Sequence, residues 1–184
     1  MERVPRERFV PADVRDLAYD DVALPLDCGQ TISQPYIVAL IAEALALTGD
    51  ERVLDVGTGS GYQAAVLAEL AREVHSIERI PELAERARAT LAEAGYERVR
   101  VHVGDGTLGL PEFAPYGGVA VAAAAPDVPR PLWEQLREGG RIVVPVGDLH
   151  VQELRVIERT AAGPRLLESV PARFVPLLGE EGHA

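Results

Sequence analysis

The most informative segment of this chain is Val53-Leu54-Asp55-Val56-Gly57-Thr58-Gly59-Ser60-Gly61-Tyr62. The stretch from Arg52 to Val56, with Val53, Leu54 and Val56, predicts a short buried strand, and the residues from Ser60 to Ala71 predict a helix. Glycine allows the backbone between them to turn sharply, and it lets a ligand approach the main chain. A glycine-rich loop between a strand and a helix is typical of a ligand-binding loop in α/β proteins.

Strand and helix signals alternate on both sides of this loop. Before it, apolar residues from Ile37 to Leu45 recur with helical spacing; Ser33 is a plausible N-cap, and Gly49 follows the last turn. After it come further predicted strands and helices: Val74–Glu78, Pro81–Ala94, Val99–Val103, Val119–Ala124, Pro131–Arg137 and Ile142–Val146. The alternation predicts a Rossmann-like, doubly wound α/β fold with a mostly parallel sheet.

The end of the chain departs from this alternation. Glu153 to Glu158 reads as a strand, but only about six residues separate it from Val146. A parallel crossover needs about a dozen residues or more. The sixth strand is therefore expected to run antiparallel to the fifth, or to lie elsewhere in the sheet. Arg165 to Val170 completes a predicted seven-stranded sheet with antiparallel strands at its C-terminal end.

The spacing of the loop glycines is G-x-G-x-G. The dinucleotide fingerprint is G-x-G-x-x-G, which places a pyrophosphate on the helix N-terminus. Here the third glycine, Gly61, comes one residue early. The carboxylate of Asp55, just before the loop, would be unfavourable beside a pyrophosphate but favourable near a ligand ammonium group. These features favour S-adenosylmethionine over a nicotinamide dinucleotide as the cofactor.

Acidic residues follow the next two predicted strands. Glu78 comes 21 residues after Gly57, where a carboxylate can accept both ribose hydroxyls of an adenosine ligand. Asp105, between Gly104 and Gly106, can accept from an adenine amino group. Alternatively, Glu78 is a solvated strand-end charge and Asp105-Gly106 a plain turn. Together the features favour a cofactor site formed by Asp55, Gly57, Thr58, Gly59, Ser60, Gly61, Glu78, Gly104 and Asp105.

Composition limits the classes of function. The chain has 184 residues, a formal net charge of −11 and a sequence pI near 4.8, which argues against a nucleic-acid partner. Cys28 is the only cysteine, so an internal disulfide and a Cys-rich metal site are excluded. The histidines lack ligand spacing, and no metal is expected; they are His75, His102, His150 and His183.

The chain length fits one domain. We expect a single domain over residues 1–184. It comprises an irregular lead-in (1–31), a cofactor-binding α/β core (32–147), and C-terminal strands with a closing segment (148–184). No apolar run approaches the ~20 residues of a membrane span, and the first residues lack a signal-peptide core. A cytoplasmic protein without membrane contact is expected.

Several stretches resemble the protein-L-isoaspartate O-methyltransferase family. The most specific is its signature before the glycine loop, Gly29-Gln30-Thr31-Ile32-Ser33-Gln34-Pro35. Others are Val4-Pro5-Arg6 with Phe9-Val10-Pro11, Tyr62 to Ala68, Ala123 to Pro126, Gly139 to Gly147, and Arg173 to Leu177. The resemblance covers nearly the whole chain in the family's order.

The resemblance implies methylation of the free α-carboxylate of L-isoaspartyl residues in damaged proteins, with S-adenosylhomocysteine as the product. It implies that Gln30, Thr31, Ile32 and Ser33 border cofactor and substrate, with Ser33 as the active-site residue. It also implies an unusual order of the last two strands. The substrate carboxylate, with a pKa near ~4, is already ionised at neutral pH, so no general base is needed. A helix N-cap remains the alternative role of Ser33.

Other expectations concern the substrate side. Arg173 and Arg6 are candidates to bind the substrate carboxylate, and a monomer is expected. The chain departs from the family where an additional helix usually precedes the Val-Pro-Arg segment, and at Asp27-Cys28, Gly117-Gly118 and Ala122. The rival hypotheses are a small-molecule methyltransferase, a nucleic-acid amino-methyltransferase, a cofactor-binding relative without activity, and an NAD-dependent enzyme.

Overall fold

A computed structural model describes residues 1–148 and 150–183 of the chain. A two-stranded antiparallel pair in the lead-in joins β1 (Leu24–Pro25) and β2 (Thr31–Ile32). The main sheet has seven strands: β3 Arg52–Val56, β4 Glu73–Glu78, β5 Val99–Val103, β6 Tyr116–Val121, β7 Leu136–Gly147, β8 Gln152–Thr160 and β9 Gly163–Ala172. The helices are α1 Pro35–Ala44, α2 Tyr62–Ala68, α3 Pro81–Glu93 and α4 Arg130–Glu134.

The strand order in the main sheet is β5-β4-β3-β6-β7-β8-β9. The pairs from β5 to β7 are all parallel. β8 is antiparallel to β7, and β9 is antiparallel to β8. The link between β7 and β8 is too short for a parallel crossover, so β8 runs beside β7 in the opposite direction. This confirms the predicted mostly parallel sheet with antiparallel C-terminal strands.

Each face of the sheet carries its own apolar cluster. On β3, Val53 faces one cluster, while Leu54 and Val56 face the other, as the two-residue period of a strand requires. The first cluster includes buried residues of α1, α2 and α3, and the second includes Leu132 of α4. The sheet is therefore covered on both faces. Within the described residues, no helix is long and apolar enough to span a membrane.

The region between β6 and β7 differs from the prediction. The helix expected over Pro131–Arg137 ends at Glu134, and Gly139-Gly140 lies within β7. Arg159 of β8 donates to the carbonyl oxygens of Trp133 (3.1 Å) and Glu134 (2.9 Å). These bonds from Arg159 satisfy carbonyl oxygens at the end of α4 that lack a partner within the helix, and the chain enters β7 at Leu136.

Other boundaries shift by a few residues. β6 begins at Tyr116 and ends at Val121, earlier at both ends than the predicted strand Val119–Ala124. Helix α1 ends at Ala44, well before Gly49, and Ala46 adopts a left-handed φ of 48°. Helix α2 begins at Tyr62, because Gly61 with its φ of 89° still belongs to the loop. The lead-in contains the β1–β2 pair and short 3-10 turns.

A histidine pair on neighbouring strands joins His75 of β4 to the half-buried His102 of β5. His75 is fully buried, with Nε2 at 3.0 Å from Glu73 Oε1 and Nδ1 at 3.1 Å from His102 Nε2. The ring of Phe113 stacks on His75 at 4.1 Å between centroids. Burial lowers the pKa of both histidines below the ordinary 6.5, and for His75 the Glu73 carboxylate opposes this in part. The pair is therefore held neutral at neutral pH.

This pair makes the stability depend on pH. The unfolded chain takes up protons first, so the stability that these histidines contribute is complete above about pH 6.5 and decreases as the pH falls below it. We expect the urea midpoint to fall less between pH 7.5 and pH 5.5 in His75→Phe, which keeps the stack on Phe113, than in wild type. The exposed His150 gives a control, His150→Gln, with the wild-type pH dependence. The buried Asp55 carboxyl contributes in both proteins and cancels in the comparison. Equal slopes for His75→Phe and wild type would contradict this assignment.

Candidate active site

A cleft opens at the carboxyl ends of β3, β4 and β6, where open α/β sheets bind ligands. It encloses about 870 Å³ of empty space including its mouth, and we call it the main cleft. Its walls are the glycine loop, the end of β4, the segment Gln30–Ser33 and the segment Val175–Leu178. The first three walls were predicted from the sequence. The fourth was not, because an apolar segment after the last strand does not indicate where it will pack.

The glycine loop forms one wall as expected. Gly57, Gly59 and Gly61 have φ values of 94°, 53° and 89°, which side-chain-bearing residues rarely adopt. Gly57, Thr58, Gly59 and Ser60 line the main cleft, whereas Gly61 does not. Gly61 instead packs against Leu91, whose side chain would lie 3.1 Å from an added Cβ. Its role here is to allow close helix packing.

Glu78 lies in the main cleft with its carboxylate fixed. The residue is 6% exposed, with Oε2 accepting from the Gly59 amide (2.9 Å) and Oε1 from the Ile80 amide (3.0 Å). The alternative that Glu78 is a solvated strand-end charge is therefore wrong. Each oxygen keeps a lone pair in addition to the one it uses, so the carboxylate can accept further donors from a ligand.

Asp55 lies beneath the loop and outside the lining of the main cleft. It is completely buried, and it accepts from Gln63 Nε2 at 2.8 Å and from Ser76 Oγ at 2.6 Å. The Ser76 hydroxyl also lies 2.6 Å from Thr58 Oγ1. Burial raises the pKa of Asp55 to about 6, although both hydrogen bonds oppose the rise. Asp55 therefore does not line the main cleft, and its two carboxylate oxygens are occupied by Gln63 and Ser76.

Asp105 is also covered by protein. Its Oδ1 accepts from the Thr107 amide (2.9 Å) and hydroxyl (2.7 Å), and its Oδ2 accepts from the Glu180 amide (2.8 Å). Burial by itself would raise the pKa of Asp105. The hydrogen bonds from Glu180 and Thr107 together outweigh burial and lower this pKa. Gly104 and Asp105 do not line the main cleft, whereas Gly106 does. The plain-turn alternative is consistent with this, since Asp105 caps the turn Gly106–Leu108.

The signature segment lies between two cavities. Gln30, Thr31, Ile32 and Ser33 all line the main cleft. Thr31 and Ser33 also line a neighbouring hollow, the side cavity, together with Ala122 and Arg173. The N-cap of α1 is Gln34, whose side chain makes no capping bond, and the first-turn amide of Tyr36 donates instead to Asp21 Oδ1 at 2.8 Å, so the capping role for Ser33 is wrong. The pairing of Ile32 with Leu24 anchors the segment.

The two candidate arginines have different surroundings. Arg173 is exposed and lines the side cavity. Arg6 is 1% exposed, with Nε donating to the Ala18 carbonyl at 2.8 Å and the guanidinium 4.8 Å from the ring centroid of Tyr62. Burial lowers the pKa of Arg6. Arg6 lies outside both cavities, so of these two candidates Arg173 is the one placed to meet a substrate anion.

The sequence did not predict several lining residues. Val175, Pro176, Leu177 and Leu178 close the main cleft opposite the glycine loop. This segment is held by backbone bonds from the Ala124 amide to the Val175 carbonyl (2.8 Å) and from the Leu177 amide to the Ala124 carbonyl (2.7 Å). The sheet order and the cleft at its carboxyl edge are those of a Rossmann-like methyltransferase.

Comparison with known proteins gives the family. The sequence profile of "Protein-L-isoaspartate(D-aspartate) O-methyltransferase (PCMT)" matches residues 1–182, and the chain belongs to this family. It is 60% identical over 184 residues to protein-L-isoaspartate O-methyltransferase 2 of Marinobacter nauticus, covering 99% of this chain and 84% of that protein. It is 53% identical over 180 residues to the protein-L-isoaspartate O-methyltransferase of Dictyoglomus turgidum, covering 98% and 82%. These relatives confirm the family resemblance found in the sequence.

Solved structures agree with the fold. A protein-L-isoaspartate O-methyltransferase superposes with a TM-score of 0.85 at 30% identity, covering 97% of this chain and 59% of that one. A putative protein-L-isoaspartate O-methyltransferase from Plasmodium falciparum, solved in complex with S-adenosyl-L-homocysteine, gives a TM-score of 0.79 at 21% identity. That pair covers 96% of this chain and 87% of the other. At this level of identity the second structure supports the fold alone.

Proposed function

We propose that this chain transfers the methyl group of S-adenosylmethionine to the free α-carboxylate of L-isoaspartyl residues in damaged proteins and peptides. S-adenosylhomocysteine is the second product. The observation that carries the proposal is the position of Ser33. It lines both the main cleft, which suits the cofactor, and the side cavity, which contains Arg173 and suits an anionic substrate.

The main cleft fits the proposed cofactor. Glu78 presents a buried carboxylate for the ribose hydroxyls. Val56, Ile77 and Leu177 supply apolar surface for a purine ring. Gln63 lines the same cleft with a buried carbonyl oxygen, Oε1, that has no hydrogen-bond partner among residues 1–148 and 150–183. A buried acceptor without a partner is costly, and a ligand donor would satisfy it.

We propose the cofactor-binding set Gln30, Thr31, Ile32, Ser33, Gly57, Thr58, Gly59, Ser60 and Glu78, all of which line the main cleft. Asp55, Gly61, Gly104 and Asp105 support it from outside the lining. Asp55 acts beneath the loop, and Gly61 permits close packing of α2. Asp105 holds Glu180 and thereby positions the segment that closes the cleft.

The reaction requires positioning more than acid–base chemistry. When bound, the cofactor supplies a methyl group that its positively charged sulfur already activates. The substrate carboxylate is ionised at neutral pH, so the chain does not have to remove a proton. The Ser33 hydroxyl donates to one carboxylate oxygen and orients it, while Arg173 holds the negative charge in the side cavity. The wall Val175–Leu178 excludes water from the reacting groups.

Methyl transfer to matched peptides tests this function. Labelled S-adenosylmethionine is incubated with the chain and a peptide that contains L-isoaspartate, beside the same peptide with normal aspartate. We expect label in the isoaspartyl peptide alone, as a base-labile methyl ester. Label in neither peptide, with cofactor binding intact, would overturn the proposed substrate.

Further proposals concern the oligomeric state, the cellular compartment and the partners of the protein. We propose a single-domain, cytoplasmic monomer that acts without a nucleic-acid partner. The net charge of −11 disfavours nucleic acid, and one exposed thiol, Cys28, is compatible with a reducing compartment. Gel filtration with light scattering measures the oligomeric state directly, and a dimer mass would contradict the proposal.

A further inference from the structure

Gln63 occupies the first turn of α2, directly behind the glycine loop. The residue is 7% exposed, and it lines the main cleft. Its Nε2 donates to Asp55 Oδ1 at 2.8 Å. Its Oε1 is buried without a hydrogen-bond partner in the described part of the chain. The side chain therefore has one end paired with a buried acid and the other end unpaired.

The orientation of the Gln63 amide follows from Asp55. An ionised carboxylate can only accept hydrogen bonds, so it binds the NH₂ group of Gln63 and would repel the carbonyl oxygen. The second oxygen of Asp55 is occupied by Ser76 Oγ at 2.6 Å, which keeps the carboxylate from turning. With the NH₂ group held by Asp55, Oε1 remains unpaired on a side chain that faces the main cleft.

The charge behind the amide determines which ligand group fits. The Asp55 carboxylate and the Gln63 carbonyl form a short polar chain whose negative end is directed away from Asp55. Glu78, the other acid that acts on Asp55, adds negative potential nearby. A cationic donor satisfies this acceptor, and an anion or a second carbonyl does not.

We propose that Gln63 Oε1 binds the α-ammonium group in the amino-acid part of the cofactor, and that Asp55 is the positioning residue that fixes the Gln63 amide. The inference rests on S-adenosylmethionine as the cofactor, and it assigns to Gln63 the contact that the sequence had suggested for Asp55. Asp55 thus holds the Gln63 amide in one orientation, and Gln63 in turn contacts the ammonium group.

Calorimetric titration with two probes tests the assignment. S-adenosylhomocysteine carries the amino-acid part, whereas 5′-methylthioadenosine keeps the nucleoside and the sulfur but lacks the ammonium group. In Gln63→Leu, which keeps the side-chain volume, we expect at least a tenfold loss of affinity for S-adenosylhomocysteine. The affinity for 5′-methylthioadenosine should stay within about twofold. Gln135→Leu is the matched control: Gln135 is equally buried at 7%, but it bonds to Leu108 and Leu110 outside the main cleft.

The role of Asp55 is tested by an Asp55 variant, alone and combined with Gln63→Leu, with the same two probes. Asp55→Asn presents an amide, which allows the Gln63 amide to turn its NH₂ group toward the cleft. We expect the same selective loss as in Gln63→Leu, and no further loss in the double variant, because both changes remove one contact. The selectivity for S-adenosylhomocysteine in wild type should also fall as the pH drops below about 6, since Asp55 then takes up a proton. Gln63→Leu should lack this pH dependence.

Each outcome separates this inference from the proposed function. Equal weakening of both probes by Gln63→Leu, or additive losses in the double variant, would overturn the assignment of the ammonium contact. Failure of the wild-type chain to bind either probe would overturn the cofactor and the assignment together. Normal binding with the expected selectivity, but no methyl transfer to the isoaspartyl peptide, would overturn only the proposed substrate.

Discussion

Replacing Glu78 by alanine is expected to weaken binding of S-adenosylmethionine by about 100-fold, the largest effect of any single change in the main cleft. The carboxylate holds the Gly59 and Ile80 amides at 2.9 and 3.0 Å and is proposed to accept the ribose hydroxyls. Hydrogen bonds to a charged group contribute about 1.5–3 kcal/mol each, and about 3 kcal/mol corresponds to a factor of about 100. Calorimetry with the purified variant measures the loss.

The control for this variant is Glu82→Ala. Glu82 lies four residues further along the chain, but its side chain is 61% exposed and pairs with Arg86 outside the main cleft. It should bind the cofactor like wild type. Glu78→Gln keeps the side-chain volume and one acceptor oxygen. Its affinity for the cofactor should therefore lie between those of wild type and Glu78→Ala. Wild-type affinity in Glu78→Ala would exclude the ribose contact.

Ser33→Ala is expected to lower turnover with an isoaspartyl peptide by about 10- to 100-fold. Cofactor affinity should stay roughly intact, because the rest of the cofactor-binding set remains in place, and the thermal midpoint should not change. The reason is geometric: loss of the orienting hydroxyl leaves the carboxylate free to turn away from the methyl group, and small misplacements of this kind cost up to about 100-fold in rate. A capping serine would instead cost about 1 kcal/mol of stability on removal. Because Gln34 occupies the N-cap position, we expect no such loss.

Steady-state kinetics and thermal unfolding together decide the role of Ser33. Ser169 of β9 is exposed and lines neither cavity, so Ser169→Ala controls for loss of a hydroxyl elsewhere. A lowered midpoint with unchanged turnover in Ser33→Ala would refute the substrate contact and indicate a structural role instead.

The parallel part of the sheet was predictable because its signals are local. Buried parallel strands are short apolar runs, and the bounds of β3 and β5 agree with their predicted ranges. The short link between β7 and β8 excluded a parallel crossover but left two possibilities, an antiparallel neighbour of β7 or a place elsewhere in the sheet, and the structure has the first. The start of β7 was not predictable, because it depends on Arg159, a residue of a later strand, which satisfies the end of α4.

The same distinction applies to the candidate site. The glycine loop, Glu78 and Ser33 lie in the main cleft because strand ends and a local signature place them there. The surroundings of Asp55 and Asp105 could not be predicted. Their partners Gln63, Ser76 and Glu180 come from other elements, and nothing in a sequence states which distant donor satisfies a buried carboxylate. The Gln63 contact became visible only through its unpaired oxygen.

The antiparallel pair β8–β9 determines when the site can be completed during synthesis. Two reversals bring the chain back to the carboxyl edge of the parallel strands, so the wall Val175–Leu178 follows every strand of the sheet in chain order. A nascent chain is made from its N-terminus, and the glycine loop can form on the ribosome well before this wall emerges. Until then the cleft stays open on the side that this wall covers.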